Sequence, residues 1–443
     1  MSSLQVDNIV EQRRWKLPKS SAHAIELISE YGVTFATEFA VLGCQLLTYK
    51  LAAHKLGQQG FSEYAVARRV ISLLYPIPLL GLGVGLPRYI AHATGAGNPR
   101  AMRYFGTAFW CVIVALLLCT LLMNGFRGGF AYLFFASQDY VSLVFPLNLL
   151  LIGLTLHALV YGYFRGRLAM KSANILQLIN LGLVPLISFF VFSSSVRAVL
   201  ISLGTMTMLS ACLALATTPL LRVGVGMSET KELLGYGLQR VSGDFIHMAL
   251  FTLPVTFVTH WHGVKEAGFM AFSISFLSMV GSVFTPIGLV LLPKASKMLA
   301  EQNHHELNLH IFRIGAITIA AATAFTLFFE FFAAVVIRVY LGQGFEAVVA
   351  MVRVVGFAIL PFCLYCVLRS LIDAFYTKGV NMINNGIAFI VFLICFRPFL
   401  LFNNPSLLPL AFVVGIFVLG FLTVGEAWKI LRRREIVPLM SQC

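Results

Sequence analysis

The sequence predicts an all-α polytopic membrane protein, with twelve transmembrane helices in two pseudo-symmetric six-helix lobes. Three observations carry that expectation. The 443 residues are 59% hydrophobic and only 11% charged, whereas a soluble domain has about a quarter of its residues charged. Apolar runs recur from residue 31 to residue 428, each near the ~20 residues that a helix needs to cross the hydrocarbon core. The third observation is an internal duplication at an offset of 206 residues: Gly57 and Leu86-Pro87-Arg88 recur as Gly263 and Leu292-Pro293-Lys294. At the same offset Ala65 meets Ala271, Ser72 meets Ser278, and Glu38 meets Asp244. Apolar matches arise by chance in so apolar a chain. A glycine, a Leu-Pro-basic corner and an intramembrane acid in one register are less expected. Two like halves about a pseudo-two-fold axis are a common plan of membrane transporters.

Residues 1–30 are polar and read as a cytoplasmic N-terminal tail, without the apolar core and small-residue cleavage site of a signal peptide. The N-lobe, 31–218, takes spans near 31–53, 64–92, 103–124, 141–163, 174–192 and 196–218. Its second span holds Pro76, Pro78 and the run Gly81-x-Gly83-x-Gly85. With no strand before it to shape a phosphate loop, that run reads as close helix packing or a hinge. Only Ser193, Ser194 and Ser195 separate the fifth and sixth spans, a tight outward turn that can close half a bundle. Residues 219–233 are the cytoplasmic inter-lobe linker. The C-lobe, 234–428, takes spans near 234–258, 267–292, 310–334, 346–369, 383–402 and 406–428, with Pro254, Pro286 and Pro361 inside them. Lys171-x-x-Asn174 after the fourth span is echoed by Lys378-x-x-Asn381 after the tenth, at offset 207. Residues 429–443 form a cytoplasmic C-terminal tail.

The net charge of +14 does not indicate nucleic acid. Placed on this helix map, roughly two-thirds of the 32 Lys and Arg fall on one side, the positive-inside pattern, which puts both termini in the cytoplasm. No Gly-x-x-x-x-Gly-Lys-Ser/Thr loop is present, so neither a nucleotide nor an ATPase motor is expected. The outward loops are too short for a catalytic domain, which argues against a membrane polymerase or ligase. Cys363-x-x-Cys366 has no second pair or neighbouring histidine and reads as buried structural thiols, not a metal or redox site.

The informative residues are those that break the apolar pattern. Glu38 and Asp244 fall well inside the first and seventh spans, where a charge costs ~2.5–3.5 kcal/mol on insertion scales. They are either structural partners of Arg240 or Lys50, or acids of a central cleft that touch a coupling ion or substrate hydroxyls. Their matched positions favour the cleft. Arg68, Arg69, Arg353 and Lys50 lie toward the outward ends of their spans, and Arg240 precedes Asp244 by four residues on one helix face. These cations either reach lipid headgroups or line the cleft for an anionic cargo, since the planar arginine fork suits phosphate. Arg88 and Lys294 read as helix ends and topology anchors, or as an inner gate for a pyrophosphate. No cofactor is expected beyond a coupling cation or proton.

Lys55-Leu56-Gly57-Gln58-Gln59-Gly60-Phe61-Ser62-Glu63-Tyr64 resembles the "LG-x-x-x-[FY]-G-x-[YF]" opening of polysaccharide flippases in the multidrug/oligosaccharidyl-lipid/polysaccharide (MOP) exporter superfamily. Gly81 to Ile90 resembles the ending of that family's second helix, and Gly263 to Phe269 with Leu291-Leu292-Pro293 its second-half counterpart. Leu341-Gly342-Gln343-Gly344-Phe345 resembles its outward "LG-x-x-F" turn. Ser62 departs from the pattern, where glycine is common. The resemblance, nearest to the O-antigen (Wzx-type) flippases, implies two lobes forming a MATE-like V in a bacterial cytoplasmic (inner) membrane. It implies an undecaprenyl-pyrophosphate-linked oligosaccharide as cargo, membrane lipids as surroundings, and polysaccharide polymerase or ligase machinery as downstream partners. The alternative is a MATE-like multidrug/cation antiporter, against which the many arginines weigh.

Overall fold

The computed structural model describes residues 21–95, 100–219, 224–300, 304–376, 379–400 and 407–432, and among them there is no strand. In chain order the helices are α1 (Ser21–Leu74), α2 (Pro76–Leu79), α3 (Leu82–Gly95), α4 (Arg100–Gly125) and α5 (Arg127–Phe135). They continue with α6 (Val144–Gly166), α7 (Met170–Gln177), α8 (Val184–Val191), α9 (Val196–Ala216) and α10 (Met227–Ala300). The last are α11 (His304–Leu341), α12 (Glu346–Gly356), α13 (Ile359–Phe375), α14 (Val380–Leu400) and α15 (Leu410–Arg432). An all-helical build follows from the composition, because backbone groups in hydrocarbon must be satisfied within their own segment.

Helices α1 and α10 are each interrupted at one glycine, Gly57 with φ 65° and Gly263 with φ 84°. Only glycine takes such a backbone without a steric cost. The interruption reverses the chain. The rings of Tyr49 and Tyr64 lie 6.0 Å apart, whereas fifteen residues of straight helix would separate them by about 22 Å. Arg69 touches both arms of α10: Thr252 Oγ1 donates to its carbonyl at 3.2 Å, and its Nη2 donates to Ser275 Oγ at 2.8 Å. A straight α10 would hold Thr252 and Ser275 about 35 Å apart. The duplicated glycines are therefore the hairpin turns of two duplicated helix pairs.

Two further bends sit at prolines, which remove a helical donor. Between Leu79 and Leu82 the axis turns by 41°, through Leu80 and Gly81 at positive φ just beyond Pro76 and Pro78. Between Gly356 and Ile359 it turns by 52°, just before Pro361. Seven described helices are long and apolar enough to cross a membrane, or nine when each bent pair counts as one span. That count takes α1 and α10 once each, although both double back.

The expected boundaries shift in three places. Half of the expected linker is helical, because α10 begins at Met227. There Arg100 Nε grips Glu229 at 2.7 Å and its Nη2 grips Glu232 at 2.8 Å, which fastens the first turns of α10 to the start of α4. The segment between the third and fourth spans, too short to span and expected as loop, carries the short helix α5. α11 starts at His304, one to two turns before its apolar stretch.

The second arms of α1 and α10 pack face to face along a seam of duplicates. Ser62 lies against Gly268, Ala65 and Ala271 are fully buried, and Arg69 bonds Ser275 at a separation of 206 residues. A residue touches its own duplicate only where the symmetry axis passes between them. The seam therefore marks the pseudo-two-fold axis, and it closes the end of the bundle that carries Gly57 and Gly263.

Candidate functional site

Glu38 stands on the first arm of α1, with exposed surface, and shares a small cavity of about 80 Å³ with Val41, Gln45, Ser282 and Pro286. The cavity thus lies between the two halves. The partner of Glu38 is an amide, not a cation: Gln177 Nε2 donates to Glu38 Oε1 at 2.9 Å. One turn away, Asn174 Nδ2 donates to Thr34 Oγ1 at 3.1 Å. Gln177 and Asn174 are both buried, and each keeps its carbonyl oxygen without a hydrogen-bond partner. Behind them Asn180 bonds the buried His157 at 3.1 Å and accepts from Ser210, inside a π-helical turn at Leu178–Leu183. Such turns recur at functional sites in helices.

The duplicated half repeats this plan with opposite charge. Asp244 lies 3.8 Å from Arg240 on α10 and is flanked by Arg369 of α13. His247 Nδ1 donates to Asn385 Oδ1 at 2.8 Å, and Asn385 Nδ2 reaches the Tyr365 hydroxyl at 3.3 Å. Arg369 stacks over the Tyr365 ring at 5.8 Å. Asn381 Nδ2 donates to Asp373 at 2.7 Å, while the buried Asn384 Nδ2 has no acceptor. In each half, amides opening one helix (α7, α14) meet the polar stretch of the first hairpin arm (α1, α10). Among the described residues one cation, Arg240, lies within ion-pair distance of Asp244, and none lies within that distance of Glu38.

The other expected cations scatter. Arg69 lies in the seam, 7% exposed, where neutral acceptors of α10 hold it in the closed interface. Arg68, next to it, is half-buried beside Tyr49 and Tyr64. Lys50 is exposed near the Gly57 turn, away from Glu38 and Asp244, so neither acid pairs with it. Arg88 is exposed and stacks over Tyr236 of α10 at 5.5 Å, at the opposite end of the bundle. Arg353 is half-buried on α12, and its Nε has no partner. The Lys294 side chain lies outside the described residues. The glycine run packs as expected: a Cβ on Gly81 would overlap the Gly237 carbonyl, and one on Gly85 would meet the Tyr236 ring at 3.0 Å.

Outside the spans, the Arg100 guanidinium holds the Glu229 carboxyl below the usual glutamate range, and the Tyr104 hydroxyl followed by Arg100 does the same for Glu232. No group of three His, Cys, Asp or Glu able to hold a metal occurs among the described residues. Cys363 and Cys366 are buried, with the Cys366 sulfur packed on Gly281. Gln177, Asn385 and Arg369 were not singled out from sequence. The available signal was the spacing Asn174-x-x-Gln177-x-x-Asn180 and the Asn381, Asn384, Asn385 cluster, amides on helical faces within apolar spans.

Residues 28–299, more than half of the chain, match the family model described as polysaccharide biosynthesis protein. Among curated proteins there is no match. The fold is similar to that of a multidrug resistance MATE family transporter of the MOP superfamily in its inward-facing conformation. That likeness has a TM-score of 0.73 at 14% identity and covers 92% of this chain and 99% of the other. It is similar also to the lipid II flippase MurJ in an inward closed conformation, with TM-score 0.70, 13% identity and coverage of 90% and 87%. A MOP superfamily transporter from Pyrococcus furiosus gives 0.65 at 14% identity, with coverage of 91% and 96%. The chain belongs to the polysaccharide biosynthesis protein family and has the fold of the MOP superfamily transporters.

Proposed function

We propose that this protein flips an undecaprenyl-pyrophosphate-linked oligosaccharide from the cytoplasmic to the outer leaflet of a bacterial inner membrane, for surface polysaccharide such as O-antigen. Twelve spans with both termini cytoplasmic complete the proposed topology, with lobes at 31–218 and 234–428. The observation that carries the reading is the Arg240–Asp244 pair at 3.8 Å with Arg369 in its neighbourhood, two guanidiniums near one carboxylate. The excess positive charge suits a phosphate, which accepts paired N–H bonds from arginine. A drug cation would be repelled there. The oligosaccharide would ride among the amides and hydroxyls, with the polyprenyl tail left in lipid.

The two halves rock against each other, opening the cleft alternately at the seam and at the opposite end. Coupling would run through Glu38, where the unpartnered oxygens of Gln177 and Asn174 suit a cation or proton. The test is a strain lacking the protein. Loss of surface polymer with the lipid-linked repeat unit trapped on the cytoplasmic leaflet supports the flippase. Unchanged polymer together with new drug sensitivity supports the antiporter instead.

A further inference from the structure

Arg69 is buried where an arginine has little reason to be. Its Nη2 donates to Ser275 Oγ at 2.8 Å and its Nε to the Ala271 carbonyl at 3.4 Å. Ser275 is itself held by the Tyr49 hydroxyl at 3.0 Å and by its own bond to the Ala271 carbonyl at 2.7 Å. Every one of these partners is neutral. Among the described residues no carboxylate lies within ion-pair distance of Arg69. A guanidinium buried against neutral acceptors keeps much of its desolvation penalty, and a charged acceptor would bind it more strongly. Its side chain leaves α1 and bonds only to α10, so these bonds exist only while the seam is shut. Separating Ala65 from Ala271 must break both of them and bring the guanidinium into the opening gap.

We propose that Arg69 is the lock of this face, a positioning residue that holds the seam closed through Ser275 and Ala271 until a phosphate group competes for it. Opening is then conditional on an anionic headgroup in the cleft, which keeps the empty protein shut on this side. The identity of that anion rests on the flippase reading. The lock itself rests on the hydrogen bonds alone.

The seam can be read by Ser62→Cys in the full chain with its native cysteines replaced, reconstituted in lipid vesicles and alkylated by an impermeant maleimide. Inorganic pyrophosphate serves as the probe. The parent is expected to react slowly and to accelerate about tenfold with pyrophosphate, the scale of one charged hydrogen bond. Ser275→Ala, a small change at a neutral partner, is expected to react faster without pyrophosphate and still to respond. Arg69→Gln is expected to react fast and to ignore pyrophosphate. Slow labelling of both variants overturns the lock, as does a pyrophosphate response that survives Arg69→Gln. A parent that ignores pyrophosphate overturns the gating. Whether lipid-linked oligosaccharide accumulates in the deletion strain is scored separately, so failure of the lock and failure of the flippase reading are told apart.

Discussion

Ser62 and Gly268 are duplicates of one another, and they lie so close that a Cβ on Gly268 would overlap the Cα and Cβ of Ser62. Ser62 Oγ also donates to the Lys265 carbonyl at 3.0 Å, so the serine ties the two hairpins as well as filling the gap. Close approach of two helices in a membrane needs a small residue on at least one side. Here the glycine is on the second copy, facing a serine on the first. Gly268→Ala is expected to destabilise the protein by about 1–3 kcal/mol, the usual cost of overpacking. Ser62→Gly should be milder. Thermal melts in detergent check this, and equal melting of Gly268→Ala and wild type would refute the seam packing.

Arg100 fastens the first turns of α10 through Glu229 and Glu232. Both carboxyls are held below the usual glutamate value, which is about 4.3. A lowered folded pKa contributes stability above the unfolded value and loses it as pH falls through the folded one. The melting temperature of wild type should therefore drop below about pH 4, while Arg100→Gln starts lower at neutral pH and drops less. The gap between the two should close on acidification. A gap that stays constant with pH would show that these carboxylates are not what Arg100 stabilises.

Arg240 and Arg369 are expected to contribute to headgroup affinity in the same way. Arg240→Gln and Arg369→Gln should each weaken binding of the polyprenyl-pyrophosphate oligosaccharide by about tenfold or more, as loss of a charge-assisted bond does. Lys50→Gln, exposed and remote, should leave binding nearly unchanged. Binding isotherms on the purified variants separate these outcomes.

Glu38 and Asp244 carry the proposed coupling. The double variant Glu38→Gln, Asp244→Asn should lose the ion dependence of transport. If it transports normally and keeps its ion dependence, coupling through these acids is excluded.

Much of this fold could be read from the sequence, because membrane helices announce themselves by long apolar runs and the duplication fixes the hairpins. Gly57 and Gly263 were matched by register alone, and both prove to be chain reversals. The acids were legible for the same reason, since a charge inside an apolar run is costly. Their surroundings were not. Gln177 and Asn385 are uncharged, so hydropathy barely registers them, yet they supply the hydrogen bonds that position Glu38 and His247. Arg369 falls at the expected end of a span, where a cation looks like a topology anchor. It stacks over the Tyr365 ring of its own helix, in the neighbourhood of Asp244. The position of Arg69 near an outward end fits either headgroup contact or a cleft lining, and only the packing of both hairpins places it in the seam.

The central claim is tested most directly by leaflet transfer in proteoliposomes. Purified protein would be reconstituted with the undecaprenyl-pyrophosphate oligosaccharide in one leaflet, and its arrival in the other followed with an impermeant glycan-modifying enzyme. Transfer by the wild type and its loss in the Arg240→Gln, Arg369→Gln double variant is the expected result. No transfer above protein-free vesicles, together with gradient-driven efflux of a cationic drug, would contradict the account.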